Sequence, residues 1–360
     1  TSSERKTLLA AGAAAGMAAT FGSPVSAVLL AVELLLFEFR ARSIIPVALA
    51  SATAAGVRMA WIGPAPAFGM PQLSQPSGYA LTFYIVLGAF FGLVATGVTR
   101  AVYAVEDRFE KLPIHWMWWP ALGGLVVGAV GYFAPRTMGV GYDNIENILS
   151  GSLAGRALFV LCVLKFVSWS ISLGSGTSGG TLAPLFTIGG GLGAVIGGIA
   201  TTLLPRAGVD PRIAGLVGMA AMFAGASRAL LASIVFAFET TLQPLGLLPL
   251  LGGCTSAYLW SCVLMRHSIM TEKIARRGVR VPSEYAADYL DQVSVATVSS
   301  KTVTALSADD TVGEVKAWLA SGAAETKHHA FPVLAEGSTL IGVLTRHDIL
   351  EDGHDPSSRV

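Results

Sequence analysis

Long apolar runs separated by short polar interruptions occupy the chain up to about residue 265. They fall at 8–20, 24–38, 43–62, 79–104, 117–133, 157–173, 180–204, 213–224, 228–240 and 244–265. A straight helix needs roughly 20 apolar residues to cross a bilayer. Several runs are shorter than that, and Gly or Pro cuts others. The pattern predicts broken helices that are shielded by neighbouring protein or line a polar cavity. Broken spans belong to transporters and channels more than to simple anchors. Trp116, Trp118 and Trp119 cluster at the start of one run, where an interfacial aromatic belt would sit.

Two of these regions repeat. Gly16-Met17-Ala18-Ala19-Thr20-Phe21 recurs as Gly218-Met219-Ala220-Ala221-Met222-Phe223. Each copy is followed by a Gly/Ser break, a second apolar run, and Ala31-Val32-Glu33 against Ala237-Phe238-Glu239. Coincidence between two Ala/Gly-rich helices is the plain explanation. An internal duplication is the other, and it is the usual origin of a two-halved transporter. Almost nothing precedes residue 8, so a duplication predicts a truncated first half.

Composition agrees with a bilayer protein: 53% of the 360 residues are hydrophobic and 13% charged, against about 25% charged in an average soluble domain. A net charge of +1 offers no basic surface for nucleic acid. Cys162, Cys254 and Cys262 all lie in apolar runs and read as small buried residues. The charges are uneven. Residues 1–266 hold 15 basic and 10 acidic residues, whereas 267–360 hold 9 and 13 in a far shorter stretch. This predicts a membrane domain over 1–280 and a soluble tail over 281–360. Lys273, Arg276, Arg277 and Arg280 follow the last run and favour a cytoplasmic tail. Within it we expect a strand near 302–306, a helix near 311–320, strands near 330–334 and 339–344, and a short helix from 346.

The segment with chemical potential is Gly174-Ser175-Gly176-Thr177-Ser178-Gly179-Gly180-Thr181-Leu182-Ala183-Pro184, inside a charge-free stretch between Lys165 and Arg206. Its glycines match a dinucleotide fingerprint formally, but an apolar helical run precedes them and the next acid is Asp210. The physical alternative is anion binding. A helix starting near Thr181 presents N–H groups without intrahelical partners at the positive end of its dipole. Such partial charges avoid the cost of burying an arginine in a membrane. Glycines leave room for close approach, and a flexible interhelical loop is the structural alternative. Gly189, Gly193 and Gly197 recur every fourth residue, a spacing that allows tight helix packing.

Gly180-Thr181-Leu182-Ala183-Pro184 resembles the second anion-binding motif of the CLC chloride channels and transporters, usually Gly-x-Phe-x-Pro. Gly139-Val140-Gly141-Tyr142-Asp143, the Glu33 and Glu239 helices, Ser227-Arg228-Ala229 and His267-Ser268-Ile269-Met270-Thr271-Glu272-Lys273 extend the resemblance over residues 1 to about 280. It implies an all-α, multi-pass membrane protein of inverted-repeat architecture and a homodimer with one pore per subunit, its dimer surface built from helices near 24–62 and 228–262. It implies chloride or a similar small anion as the transported ligand, no cofactor, and a cell (inner) membrane location. Gly180 and the backbone N–H groups of Thr181 and Leu182 take the anion-coordinating role. The family's pore tyrosine falls on Met270, whose thioether cannot donate a hydrogen bond. The family's serine and gating-glutamate motifs belong to an amino-terminal region without a counterpart here. Its inner proton-transfer glutamate falls on Leu34, which weakens the case for proton coupling.

For Lys165, Arg228, Glu33 and Glu239 we expect structural pairing or snorkelling. His115, His267, His328, His329, His347 and His354 show no metal-ligand spacing, and His328-His329 reads as a solvated turn. In the tail, Ala330-Phe331-Pro332-Val333-Leu334 and Leu340 to Ile349 resemble a single α/β CBS motif. Paired motifs of that kind bind adenine nucleotides, and Thr345 and Asp348 match the contacting positions; a structural or dimer-stabilising tail is the alternative. The expected function is anion transport without covalent chemistry. Its rivals are proton-coupled chloride exchange, a nucleotide-binding CBS module with a membrane anchor, and a cation carrier, which would want more intramembrane carboxylates than Glu33 and Glu239. An intramembrane enzyme is disfavoured by the lack of a paired nucleophile and base.

Overall fold

A computed structural model describes residues 2–278, 303–335, 339–351 and 355–360. The chain divides into two units, Thr1–Ala286 and Ala287–Val360. The boundary expected at 280/281 lies outside the described residues, as does Arg280.

The described part of the first unit is helical: α1 Ser2–Phe21, α2 Pro24–Ala31, α3 Ala41–Ile62, α4 Gly78–Glu110, α5 Trp119–Phe133, α6 Tyr142–Leu149, α7 Gly155–Gly174, α8 Leu182–Leu203, α9 Pro211–Ser227, α10 Leu230–Thr241, α11 Leu247–Leu264 and α12 Glu272–Arg276. Among the described residues five helices are long and apolar enough to cross a membrane: α3, α4, α7, α8 and the segment Pro244–Leu264 that contains α11. The short runs became short helices, as their length required. A π-helical turn over Val32–Leu36 extends α2, and Phe37 then turns left-handed at φ 53°. Leu242 does the same after α10, at φ 49°.

Helix α9 is the centre of the bundle, buried continuously from Ile213 to Ser227. It packs on α8, α4, α11 and α10. The four-residue glycine spacing of α8 produces the closest of these approaches. A Cβ on Gly189 would stand 2.4 Å from the Gly218 carbonyl oxygen, and one on Gly193 2.3 Å from that of Ala214. Backbones this close leave no void for a side chain, so the packing gain depends on glycine. Helix α6 was not expected. It is an eight-residue amphipathic helix that buries Ile145, Ile148 and Leu149 while Asp143 and Glu146 flank them. Its mixed composition hides it from a search for apolar runs.

One expectation about the cysteines fails. Cys162 and Cys254 are buried, but Cys262 is exposed. It sits on the outward apolar face of α11 beside Val263, so its apolar neighbours in sequence do not enclose it.

The second unit carries a three-stranded sheet in the order β1-β2-β3, from Leu306–Ser307, Ala330–Ala335 and Thr339–Thr345. β1 pairs parallel to β2, and β2 antiparallel to β3. Among its described residues, two helices, α13 Val312–Ala320 and α14 Arg346–Leu350, accompany the sheet. Leu306, Val315, Leu319, Phe331 and Ile349 form its core. The first strand is shorter and later than the expected 302–306. Of that range, 302 lies outside the described residues and 303–305 are not extended into the sheet.

Candidate functional site

Helix α7 runs towards the Gly/Ser segment, and α8 leaves from its far end. Thr181 is the N-cap of α8, but its side chain makes no capping bond to its own helix. The first intrahelical bond is Leu185 N–H to the Thr181 carbonyl, at 3.2 Å. Pro184 has no N–H to give. The N–H groups of Thr181, Leu182 and Ala183 therefore have no acceptor among the described residues. Three adjacent, unpaired donors at the positive end of a 22-residue helix suit an anion.

Two of those three residues, Leu182 and Ala183, border open space. A cavity of about 490 Å³ is lined by Gly179, Gly180, Leu182 and Pro184, with Lys165, Trp169 and Tyr142 on its other walls. A Cβ on Gly180 would meet no atom within 4 Å, so open space lies on that side of the glycine. The side chains of Thr181 and Met270 meet: Thr181 Oγ1 lies 3.8 Å from Met270 Sδ. The structure thus brings together Gly180, Thr181, Leu182 and Met270. Thioether sulfur is a weak acceptor, so the threonine hydroxyl is only lightly engaged. The Met270 segment is itself fixed, with the Ile269 N–H donating to the Ala226 carbonyl at 2.9 Å. Buried Tyr103 Oη donates to the Ile269 carbonyl at 2.8 Å.

The intramembrane charges find backbone rather than charged partners. Lys165, 5% exposed, donates from Nζ to the Thr137 and Gly139 carbonyls, each at 2.9 Å. Arg228 donates to the carbonyls of Arg266, Ser261 and Met265. Glu33 accepts from the N–H groups of Leu231 and Ala232, and Glu239 from those of Val25 and Ser26. Structural roles fit all four, but through helix ends and carbonyls instead of ion pairs. The second helices of the two copies, α2 with its π-helical turn and α10, exchange equivalent carboxylate contacts, which favours duplication over coincidence.

Sequence reasoning passed over Trp169. Its Nε1–H donates to the Gly180 carbonyl at 3.2 Å. A buried indole N–H needs a partner, and that need was the available signal. In the second unit Thr345 and Asp348 form a reciprocal capping box at the start of α14. His328 and His329 are exposed just before β2.

The family model described as voltage gated chloride channel matches residues 1–261. Chloride channel protein CLC-f of Arabidopsis thaliana is 34% identical over 268 residues, 69% of this chain and 34% of that protein. The H(+)/Cl(-) exchange transporter ClcA of Vibrio parahaemolyticus is 29% identical over 279 residues, 76% of this chain and 60% of that one. Among solved structures, a slow cyanobacterial Cl-/H+ antiporter aligns with a TM-score of 0.71 at 24% identity, covering 77% of this chain and 66% of its own, and shares the fold. The chain spans between a third and two thirds of the length of these two curated relatives. With the family model matched over most of its length, the chain belongs to the voltage-gated chloride channel, or CLC, family.

Proposed function

We propose that this chain carries the anion-holding part of a membrane protein that moves chloride, or a similar small anion, across a bilayer. The observation that carries the reading is the α8 N-terminus, with unpaired N–H groups at Thr181, Leu182 and Ala183 beside the open position at Gly180. The anion exchanges its hydration shell for these donors. The partial charges of a helix end hold it strongly enough to enter and weakly enough to leave. Lys165 contributes a positive charge to the same cavity without standing among the donors. Relatives named as H(+)/Cl(-) exchange transporters make coupled exchange the second reading; Leu34, which cannot carry a proton, favours uncoupled movement.

The same family reading assigns the rest. The protein is a homodimer in a cell membrane, joined through helices near 24–62 and 228–262, with its tail on the cytoplasmic side. Exposed Ile45, Leu49, Leu231 and Leu248 on those helices supply apolar surface for such a contact. The tail is a CBS-type unit. Thr345 and Asp348 satisfy each other in the capping box, which favours a structural tail over a nucleotide sensor.

Chloride titrated into the purified chain in detergent tests the site. Saturable binding that competes with bromide but not with sodium supports it, and the lack of any chloride heat overturns it. In liposomes, chloride efflux with proton uptake favours exchange, and efflux at constant external pH favours uncoupled movement.

A further inference from the structure

The glycine-rich connection between α7 and α8 has almost nothing of its own to hold it. The atom nearest to a Cβ added at Gly179 would be Leu173 Cδ1 at 4.0 Å, and at Gly180 no atom lies within 4 Å. On the glycine side, no side-chain packing therefore restrains the peptide that joins Gly180 to Thr181. What restrains the segment is the final stretch of α7. Trp169 and Ser172 stand three residues apart, on one side of that helix. The Ser172 carbonyl accepts from Thr177 Oγ1 at 2.5 Å, which anchors the near end of the loop. Trp169 Nε1 donates to the Gly180 carbonyl at 3.2 Å, which anchors the far end.

The second anchor acts directly on a donor of the candidate anion site. The Gly180 carbonyl and the Thr181 N–H belong to one peptide unit, and no peptide bond among the described residues is cis. In a planar trans peptide the C=O and N–H point in opposite directions. Fixing the carbonyl towards Trp169 therefore aims the Thr181 N–H the other way. Only 7% of Trp169 is exposed, so the surrounding packing holds its indole in place.

We propose that Trp169 is a positioning residue for anion binding: its indole N–H holds the Gly180–Thr181 peptide in the orientation that presents the Thr181 N–H to the anion. This rests on the reading of the α8 N-terminus as the anion site. Without the bond the peptide loses its restraint on the Gly180 side, and ordering it is added to the cost of binding.

Chloride affinity of the whole chain in detergent, measured by isothermal titration calorimetry, tests this with two variants. Trp169→Phe removes the donor and part of the ring. Replacement of Trp169 by benzothienylalanine exchanges only the N–H for sulfur and keeps the shape, so it decides the matter if the phenylalanine variant folds poorly. Losing one neutral hydrogen bond weakens chloride binding by about two- to tenfold, with the number of binding sites per chain and the unfolding temperature of the isostere unchanged. A merely structural tryptophan would lower the fraction of competent protein and leave the dissociation constant alone. That result, or an isostere with wild-type affinity, overturns the proposal. If the unmodified chain binds no chloride, the anion-site reading fails first, and the two failures are distinct.

Discussion

Glu33 and Glu239 each close the start of the helix that carries the other. The Glu33 carboxylate accepts from Leu231 and Ala232 at 3.1 and 3.0 Å, at the N-terminus of α10, and Glu239 near the end of α10 accepts from Val25 and Ser26 at 3.0 and 2.8 Å, at the N-terminus of α2. A carboxylate on two helix-end N–H groups combines a cap with a favourable dipole interaction. Replacing either Glu33 or Glu239 by Ala should cost about 1–2 kcal/mol of stability. Because both join the same two helices, the double variant should lose less than the sum of the single losses. Unfolding of the four proteins in mixed detergent gives the coupling, and strict additivity would contradict a shared clamp.

Two glycines of one region should respond oppositely to alanine. At Gly180 there is room and no left-handed backbone, so Gly180→Ala should leave stability within about 0.5 kcal/mol of the wild type. Its methyl group would stand beside the donors and weaken chloride binding. At Gly189 the added carbon meets the Gly218 carbonyl, and Gly189→Ala should cost about 1–3 kcal/mol through separation of α8 from α9. Unfolding temperature and chloride affinity, measured on both, separate the two roles.

Met270→Tyr supplies the hydroxyl that the thioether lacks, next to Thr181. Chloride binding should tighten by about two- to tenfold, the worth of one added hydrogen bond. Met270→Leu, which adds no donor, is the control and should bind as the wild type does. Equal affinity in both variants would place Met270 outside the anion's reach.

The loop before α9 carries a pH-dependent element. Burial pushes the Asp210 carboxyl up, but Arg212, bonded to it at 2.7 Å, and the backbone N–H groups of the helix start outweigh that and hold it below the usual carboxylate range. A lowered folded-state pKa stabilises the protein above the unfolded value of about 4, and the contribution disappears as pH falls through the folded value. Asp210→Asn should therefore lower the unfolding temperature at neutral pH and flatten its decline below about pH 4. An unchanged acid limb would assign the decline to other carboxylates.

Much of the membrane domain could be read from the chain because helix length and apolar length coincide there. Runs such as 43–62 and 157–173 became α3 and α7 with ends moved by about two residues. The start of α8 was legible for a different reason: Pro184 and the glycines restrict where a helix can begin. What remained hidden depends on contacts between distant residues. The acceptors of Lys165 are carbonyls about 26 and 28 positions away, and any residue type supplies a carbonyl. The hold of Trp169 on Gly180 is equally silent, since a glycine's carbonyl leaves no mark in its side chain. Helix α6 was missed because half of its residues are polar and only its period betrays it.

In the proposed function the α8 N-terminus holds the anion through backbone N–H groups. Crystals of the chain grown in bromide, with anomalous scattering recorded at the bromine edge, test it most directly. One strong peak is expected within hydrogen-bond reach of the Thr181 and Leu182 nitrogens, weakened in Gly180→Ala. Strong bromide peaks elsewhere in the bundle, with none at the start of α8, would contradict it.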